Sequence, residues 1–175
     1  MIDKLKDITT FIFDVDGVLT NGNLLITEKG DQLRQYSIKD GYAIQLAINK
    51  GYHVCIITGA KSESVAMRMQ GLGIQHIYLG ASYKMPFFLD FLEKTGLTKE
   101  EIVYVGDDLP DQEIMEQVAI SICPADGVQE IKNCCSYISP FKGGAGVVRD
   151  IIEKVLKVQD KWFVEKPDAD DGALK

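Results

Sequence analysis

This sequence has little positive charge. Its 175 residues carry 19 Lys and Arg against 26 Asp and Glu, a formal net charge of −7. Non-specific nucleic-acid binding needs a positive field to attract phosphates, so a nucleic-acid partner is not expected. No apolar run approaches the roughly 20 residues that span a bilayer, and Met1-Ile2-Asp3-Lys4-Leu5-Lys6-Asp7 lacks the apolar core of a signal peptide. The expectation is a cytoplasmic chain with no membrane partner. Cysteine is also sparse. Cys55, Cys123, Cys134 and Cys135 match no zinc spacing, which favours buried or incidental free thiols in a reducing compartment over a redox or metal role. No Lys-Ser/Thr follows Gly143-Gly144-Ala145-Gly146, which excludes a P-loop; the run reads as a flexible entry to a last helix. His53 and His76 are isolated at strand starts and read as structural.

What remains is an ordinary globular composition, 46% hydrophobic and 26% charged. One domain is expected over residues 1–164, followed by a polar tail over 165–175. Ile8–Phe13, His53–Ile57 and Ile102–Val105 are apolar runs of strand length, with shorter candidates at Ile77–Leu79 and Ala119–Ile122. Near-continuous runs without strict alternation suit strands covered on both faces. Helical stretches fill the gaps. Asp40 can cap a helix to about Lys50 and Ser62 one through Leu72; Lys84–Thr95, Asp111–Gln117 and Val147–Val158 follow. This alternation predicts an α/β fold, a doubly wound, mainly parallel sheet. Residues 22–37 break the pattern and read as a protruding β-hairpin with a Gly-containing turn.

Three polar clusters end three of the predicted strands: Asp14-Val15-Asp16-Gly17, Thr58-Gly59, and Gly106-Asp107-Asp108-Leu109-Pro110-Asp111. Parallel α/β sheets bind ligands at that edge, so topology alone gathers these residues. Carboxylates crowded together repel unless a cation intervenes, and oxygen donors from Asp14, Asp107 and Asp111 suit Mg²⁺.

In order and spacing these clusters resemble the motifs of the haloacid dehalogenase superfamily. Asp14-Val15-Asp16-Gly17-Val18-Leu19-Thr20 is similar to its nucleophile loop, Ile56-Ile57-Thr58-Gly59 to its second motif, Lys84 to its third and Gly106–Asp111 to its fourth. The resemblance implies that Asp14 attacks phosphorus and that Asp16 protonates the leaving oxygen, then deprotonates water. It implies that Thr58 and Lys84 hold the phosphate. Mg²⁺ would sit on Asp14, the Asp16 backbone carbonyl and Asp107.

No cap domain fits between these motifs. The chain resembles the capless 3-deoxy-D-manno-octulosonate 8-phosphate phosphatases from Thr10 to Val158, notably at Ser37-Ile38-Lys39-Asp40-Gly41-Tyr42, Gly71-Leu72-Gly73-Ile74 and Gly143–Asp150. That resemblance implies a small anionic sugar phosphate as substrate and a homotetramer whose hairpins pack together. Its substrate contacts map onto Asp16, Ser37, Ile38, Lys39, Asp40, Gly41, Thr58, Gly59, Arg68 and Lys84. Ala60 and Gln45 stand where some members carry arginine, shifting the anchoring of the sugar acid toward Lys39 and Arg68. Two alternatives stay open: a nine-carbon nonulosonate 9-phosphate as substrate, and a non-catalytic partner of a sugar-nucleotide transferase.

Overall fold

The computed structural model describes residues 2–162; the expected tail over 165–175 lies outside the described residues. The chain opens with a short helix α1 (Ile2–Leu5) and strand β1 (Thr10–Phe13), then a two-stranded ribbon of β2 (Leu25–Ile26) and β3 (Gln32–Leu33). Alternation follows: α2 (Ile38–Asn49), β4 (His53–Ile57), α3 (Glu63–Gly71), β5 (His76–Tyr78), α4 (Met85–Thr95) and β6 (Ile102–Val105). The last part holds α5 (Gln112–Met115), β7 (Ile120–Cys123), α6 (Gln129–Cys134), β8 (Tyr137–Ile138) and α7 (Val147–Val158).

Six strands form one parallel sheet in the order β5-β4-β1-β6-β7-β8. β1 lies between β4 and β6, so the chain winds to one side of β1 and then crosses to the other. The ends of β1 and β6 flank that reversal, where a doubly wound sheet opens a crevice.

The period of two in a strand divides the core into two layers. Phe11, Phe13, Val54, Ile56, Val103 and Val105 face Leu46 and Ala47 of α2, Val65 and Met69 of α3, and the apolar stripe of α7. Ile12, Cys55, Ile57, Ile102 and Tyr104 face Phe88 and Phe91 of α4 and Ile114 of α5. Both sheet faces are covered, which is why these strands read as unbroken apolar runs.

Two local expectations change. Ser37, not Asp40, is the N-cap of α2, and its hydroxyl accepts from the Asp40 amide at 3.3 Å. The helix predicted over Asp111–Gln117 is shorter, a 3₁₀ turn at Leu109–Asp111 followed by α5. Pro110 suits the first positions of such a turn, where no N–H is needed. The hairpin is present with only two paired residues per strand. Thr27 and Asp31 close its turn, the Asp31 amide donating to Thr27 Oγ1 and the Thr27 hydroxyl to Asp31 Oδ2, both at 3.0 Å.

Candidate active site

The Asp14 amide donates to the Val105 carbonyl at 3.1 Å, extending the β1–β6 ladder one residue past β1. The chain then coils tightly: the amides of Val18, Leu19 and Thr20 all converge on the Val15 carbonyl. Gly17 makes this turn possible, with φ +85°. It also makes room. A Cβ at Gly17 would stand 2.0 Å from Asp107 Oδ2, so the absent side chain is what lets the β6-end carboxylate approach the nucleophile loop. Behind the loop, a Cβ on Gly143 would lie 1.9 Å from the Gly17 carbonyl oxygen, and the Gly144 amide donates to Val18 O at 2.9 Å. The glycine run is therefore a packed buttress for the loop, a correction to the flexible entry expected from sequence.

Lys84 stands at the N-cap position of α4 and is only 3% exposed. Its Nζ lies 2.8 Å from Asp14 Oδ2 and 2.6 Å from Asp111 Oδ1. Asp14 Oδ1 accepts from the Val15 amide at 2.6 Å. Asp111 is fully buried, and four donors reach it. Lys84 and the Tyr104 hydroxyl meet Oδ1, both at 2.6 Å, while the Asp107 and Asp108 amides meet Oδ2 at 3.2 and 3.4 Å. A carboxylate has about four acceptor positions, so those of Asp111 are spent holding Lys84 and the Asp107–Asp108 loop.

Three carboxylates, Asp14, Asp107 and Asp111, bring oxygens within 4.8 Å of one another, and Lys84 pairs with Asp14 and Asp111. Burial pushes the Asp14 carboxyl up to about 6; Lys84 opposes the rise and the Asp111 charge adds to it. Burial also pushes Asp107 up to about 8, helped by the charges of Asp14 and Asp111. Burial alone would lower the Lys84 proton affinity, but its two carboxylate neighbours outweigh that and raise it. The cluster thus has more negative charge than its lysine neutralises. Asp107 Oδ1 is buried with no hydrogen-bond partner among the described residues. Excess charge, all-oxygen donors and an orphaned buried oxygen are what a hard divalent cation would satisfy, and Mg²⁺ fits these residues.

These groups open into a cavity of about 310 Å³ lined by Asp14, Asp16, Thr58, Gly59, Lys84 and Asp107, among others. Thr58 Oγ1 accepts from the Ala60 amide at 3.2 Å, which leaves its hydroxyl hydrogen free to donate. Other expected contacts lie outside this cavity. Ile38 is 84% exposed. Ser37 and Lys39 line a separate cavity with Arg149 and Lys157. Asp40 is buried and caps α7, accepting from the Arg149 amide at 2.8 Å and the Gly146 amide at 3.2 Å. Arg68 lies over the Tyr36 ring, 5.9 Å from its centroid, and a Cβ on Gly41 would stand 2.7 Å from its Nη2.

A haloacid dehalogenase-like hydrolase family matches residues 82–151. The 3-deoxy-D-manno-octulosonate 8-phosphate phosphatase of Escherichia coli K12 is 38% identical over 161 residues, covering 92% of this chain and 86% of that protein. The chain belongs to this phosphatase family. The fold agrees. A Yersinia pestis structure of a 3-deoxy-D-manno-octulosonate 8-phosphate phosphatase superposes with a TM-score of 0.89 at 34% identity, over 91% of this chain and 86% of that one. A Moraxella catarrhalis phosphatase of the same name, in complex with magnesium ion, phosphate ion and a KDO molecule, gives 0.88 at 32% identity, over 91% of each chain.

Within this phosphatase family site, sequence reasoning missed two residues. Tyr104 reads as a plain β6 core residue, yet its hydroxyl finds Asp111. Arg34 was overlooked in the hairpin, although it alternates with the outward Leu33 and so faces inward; its guanidinium meets Asp16.

Proposed function

We propose that this chain hydrolyses 3-deoxy-D-manno-octulosonate 8-phosphate to the free sugar acid and phosphate, with Mg²⁺ as cofactor. The observation that carries the reading is the Asp14–Lys84 pair, buried at the sheet's switch point beside an under-neutralised carboxylate cluster. Asp14 is held by Lys84 and the Val15 amide with its carboxylate at the cavity wall, the posture of a nucleophile. Attack on phosphorus forms an aspartyl phosphate on Asp14. Asp16 gives a proton to the departing sugar oxygen and later takes one from water. Lys84 and the Thr58 hydroxyl supply positive charge and a donor to the phosphoryl oxygens. Asp14, Asp107 and the Asp16 backbone carbonyl are the groups that would hold Mg²⁺. When bound, the ion neutralises the cluster and polarises the phosphoryl group. In this reading Asp111 acts by orienting Lys84 and Asp107.

The eight-carbon substrate is supported by the 38% identity to the Escherichia coli enzyme and by the Moraxella catarrhalis complex. Ala60 lines the cavity and offers the sugar acid no charge. A homotetramer is supported by the hairpin, where Leu24, Leu25, Ile26 and Leu33 are 41%, 67%, 56% and 49% exposed. A cytoplasmic location is supported by four free thiols; no helix among the described residues is long and apolar enough to cross a membrane.

Phosphate release from a panel of sugar-acid phosphates with Mg²⁺ tests the reading. The expected result is the highest kcat/KM on the eight-carbon ester and none in Asp14→Asn. A higher kcat/KM on a nine-carbon acid phosphate would replace the substrate, and wild-type turnover by Asp14→Asn would remove the nucleophile.

A further inference from the structure

Arg34 leaves the hairpin just after β3, and its side chain crosses to the nucleophile loop. Nε donates to Asp16 Oδ1 at 2.7 Å and Nη2 to Oδ2 at 3.0 Å. Only 4% of the Arg34 side chain is exposed, against 35% of Asp16. Nη1 donates to the Gln32 carbonyl at 3.3 Å, tying the guanidinium to its own strand. Among the described residues, Arg34 supplies every hydrogen bond the Asp16 carboxylate makes. Packing does not fix so open a carboxylate; the two-pronged contact does.

We propose that Arg34 is a positioning residue for Asp16, so that the hairpin aims the acid–base group at the leaving oxygen. The inference rests on the phosphatase reading. In the first step an Asp14 oxygen forms a bond to phosphorus. The bond from phosphorus to the ester oxygen breaks, and that oxygen keeps the electron pair and takes the Asp16 proton. In the second, a water oxygen forms a bond to phosphorus and gives a proton to Asp16, while the bond from phosphorus to the Asp14 oxygen breaks and its electron pair returns to the Asp14 carboxylate. Each carboxylate oxygen has two acceptor directions, and the planar guanidinium takes one on each, leaving the others for the proton. Lysine, a single point of charge, lacks the planar fork that fixes the plane of the carboxylate through both oxygens.

Positioning a general acid matters only to leaving groups that need its proton. The test is a series of phosphate monoesters lacking a carboxylate, from alkyl phosphates to p-nitrophenyl phosphate, whose phenolate departs unprotonated. Since a general acid is worth about 10²–10⁴-fold, Arg34→Ala should lower kcat/KM at least about 10-fold on alkyl esters and under about 3-fold on p-nitrophenyl phosphate. Arg34→Lys should fall between, and Asp16→Asn should show the same leaving-group pattern. Added guanidinium ion should restore part of the alkyl-ester rate in Arg34→Ala. Thermal melting checks that each variant is folded, and if Arg34→Ala is not, the same comparison is read from Arg34→Lys. Equal losses across the series would overturn the inference in favour of a structural role. A loss confined to the carboxylate-bearing sugar phosphate would overturn it in favour of substrate anchoring. Both results leave the phosphatase reading intact, whereas a wild type that hydrolyses no monoester overturns both.

Discussion

Gly143 backs directly onto Gly17: a Cβ on Gly143 would stand 1.9 Å from the Gly17 carbonyl oxygen, with Thr20 O at 2.7 Å. Both obstacles are backbone, so no rotamer change relieves the overlap. Gly143→Ala must force the nucleophile loop and the glycine run apart. Overpacking of this kind costs about 1–3 kcal/mol, and at about 2–4 °C per kcal/mol for a chain of this size a lower melting temperature is expected. A displacement near 1 Å at the reacting group can cost about 10²-fold in rate, so kcat should fall more than stability suggests. Wild-type kcat in Gly143→Ala would show that the buttress does not position Asp14.

Lys84 and Asp111 form a second coupled pair. Lys84→Met leaves Asp14 and Asp111 facing each other without a cation between them. Removing one partner of a buried pair costs about 3–5 kcal/mol, so the metal-free protein should melt well below wild type, and turnover should be lost. Tyr104→Phe is the finer probe. It removes one hydrogen bond to the charged Asp111 without touching the cavity, a loss of about 1.5–3 kcal/mol. Its melting temperature should fall while KM holds. A raised KM with unchanged melting would mean that Tyr104 acts on substrate.

Asp40 offers a direct choice between two roles. The resemblance implies a substrate contact, whereas both its oxygens cap α7 from α2. Removing a capping carboxylate costs about 0.5–2 kcal/mol. Asp40→Ala is therefore expected to lower the melting temperature by a few degrees with KM changed less than about 3-fold. A large rise in KM with unaltered melting would restore the substrate role.

How much of this was legible follows from which contacts are local. The ends of β1, β4 and β6 announce themselves because the apolar runs stop at Asp14, at Thr58-Gly59 and at Gly106-Asp107, and a parallel sheet brings those ends together. Asp14, Asp16, Thr58 and Asp107 were readable for that reason. The partners of Asp111 were not, since Lys84 and Tyr104 reach it from different elements and neither contact has a sequence period. The start of α2 was misplaced because Ser37 and Asp40 are both good capping residues, and only tertiary packing turns the Asp40 carboxylate onto α7. Arg34 was hidden by a hairpin whose paired strands are too short for alternation to stand out.

The apolar hairpin face predicts a dependence on assembly. Leu25 is the most exposed of its four aliphatic side chains. Leu25→Asp would place a charge where neighbouring subunits are proposed to meet. Sedimentation should report a smaller species with lower kcat, because Arg34 rides on the same hairpin and orients Asp16. A fully active monomer would separate assembly from catalysis.

Magnesium and rising pH should act on stability in opposite senses. The carboxyls of Asp14 and Asp107 stand at about 6 and about 8 in the fold, against an ordinary value of 3.8. Between 3.8 and about 8 the folded chain therefore binds more protons than the unfolded chain. Stability must then fall as pH rises through that window in a chelator, since ionising these groups adds charge that Lys84 alone cannot neutralise. Mg²⁺ binds the ionised form and competes with protons, so its stabilisation grows with pH. Melting curves with and without Mg²⁺ at pH 5.5 and pH 8 should show a larger metal-induced rise at pH 8, and Asp107→Asn should remove most of the difference. An equal rise at both pH values, or one that persists in Asp107→Asn, would place the ion somewhere other than between Asp14 and Asp107.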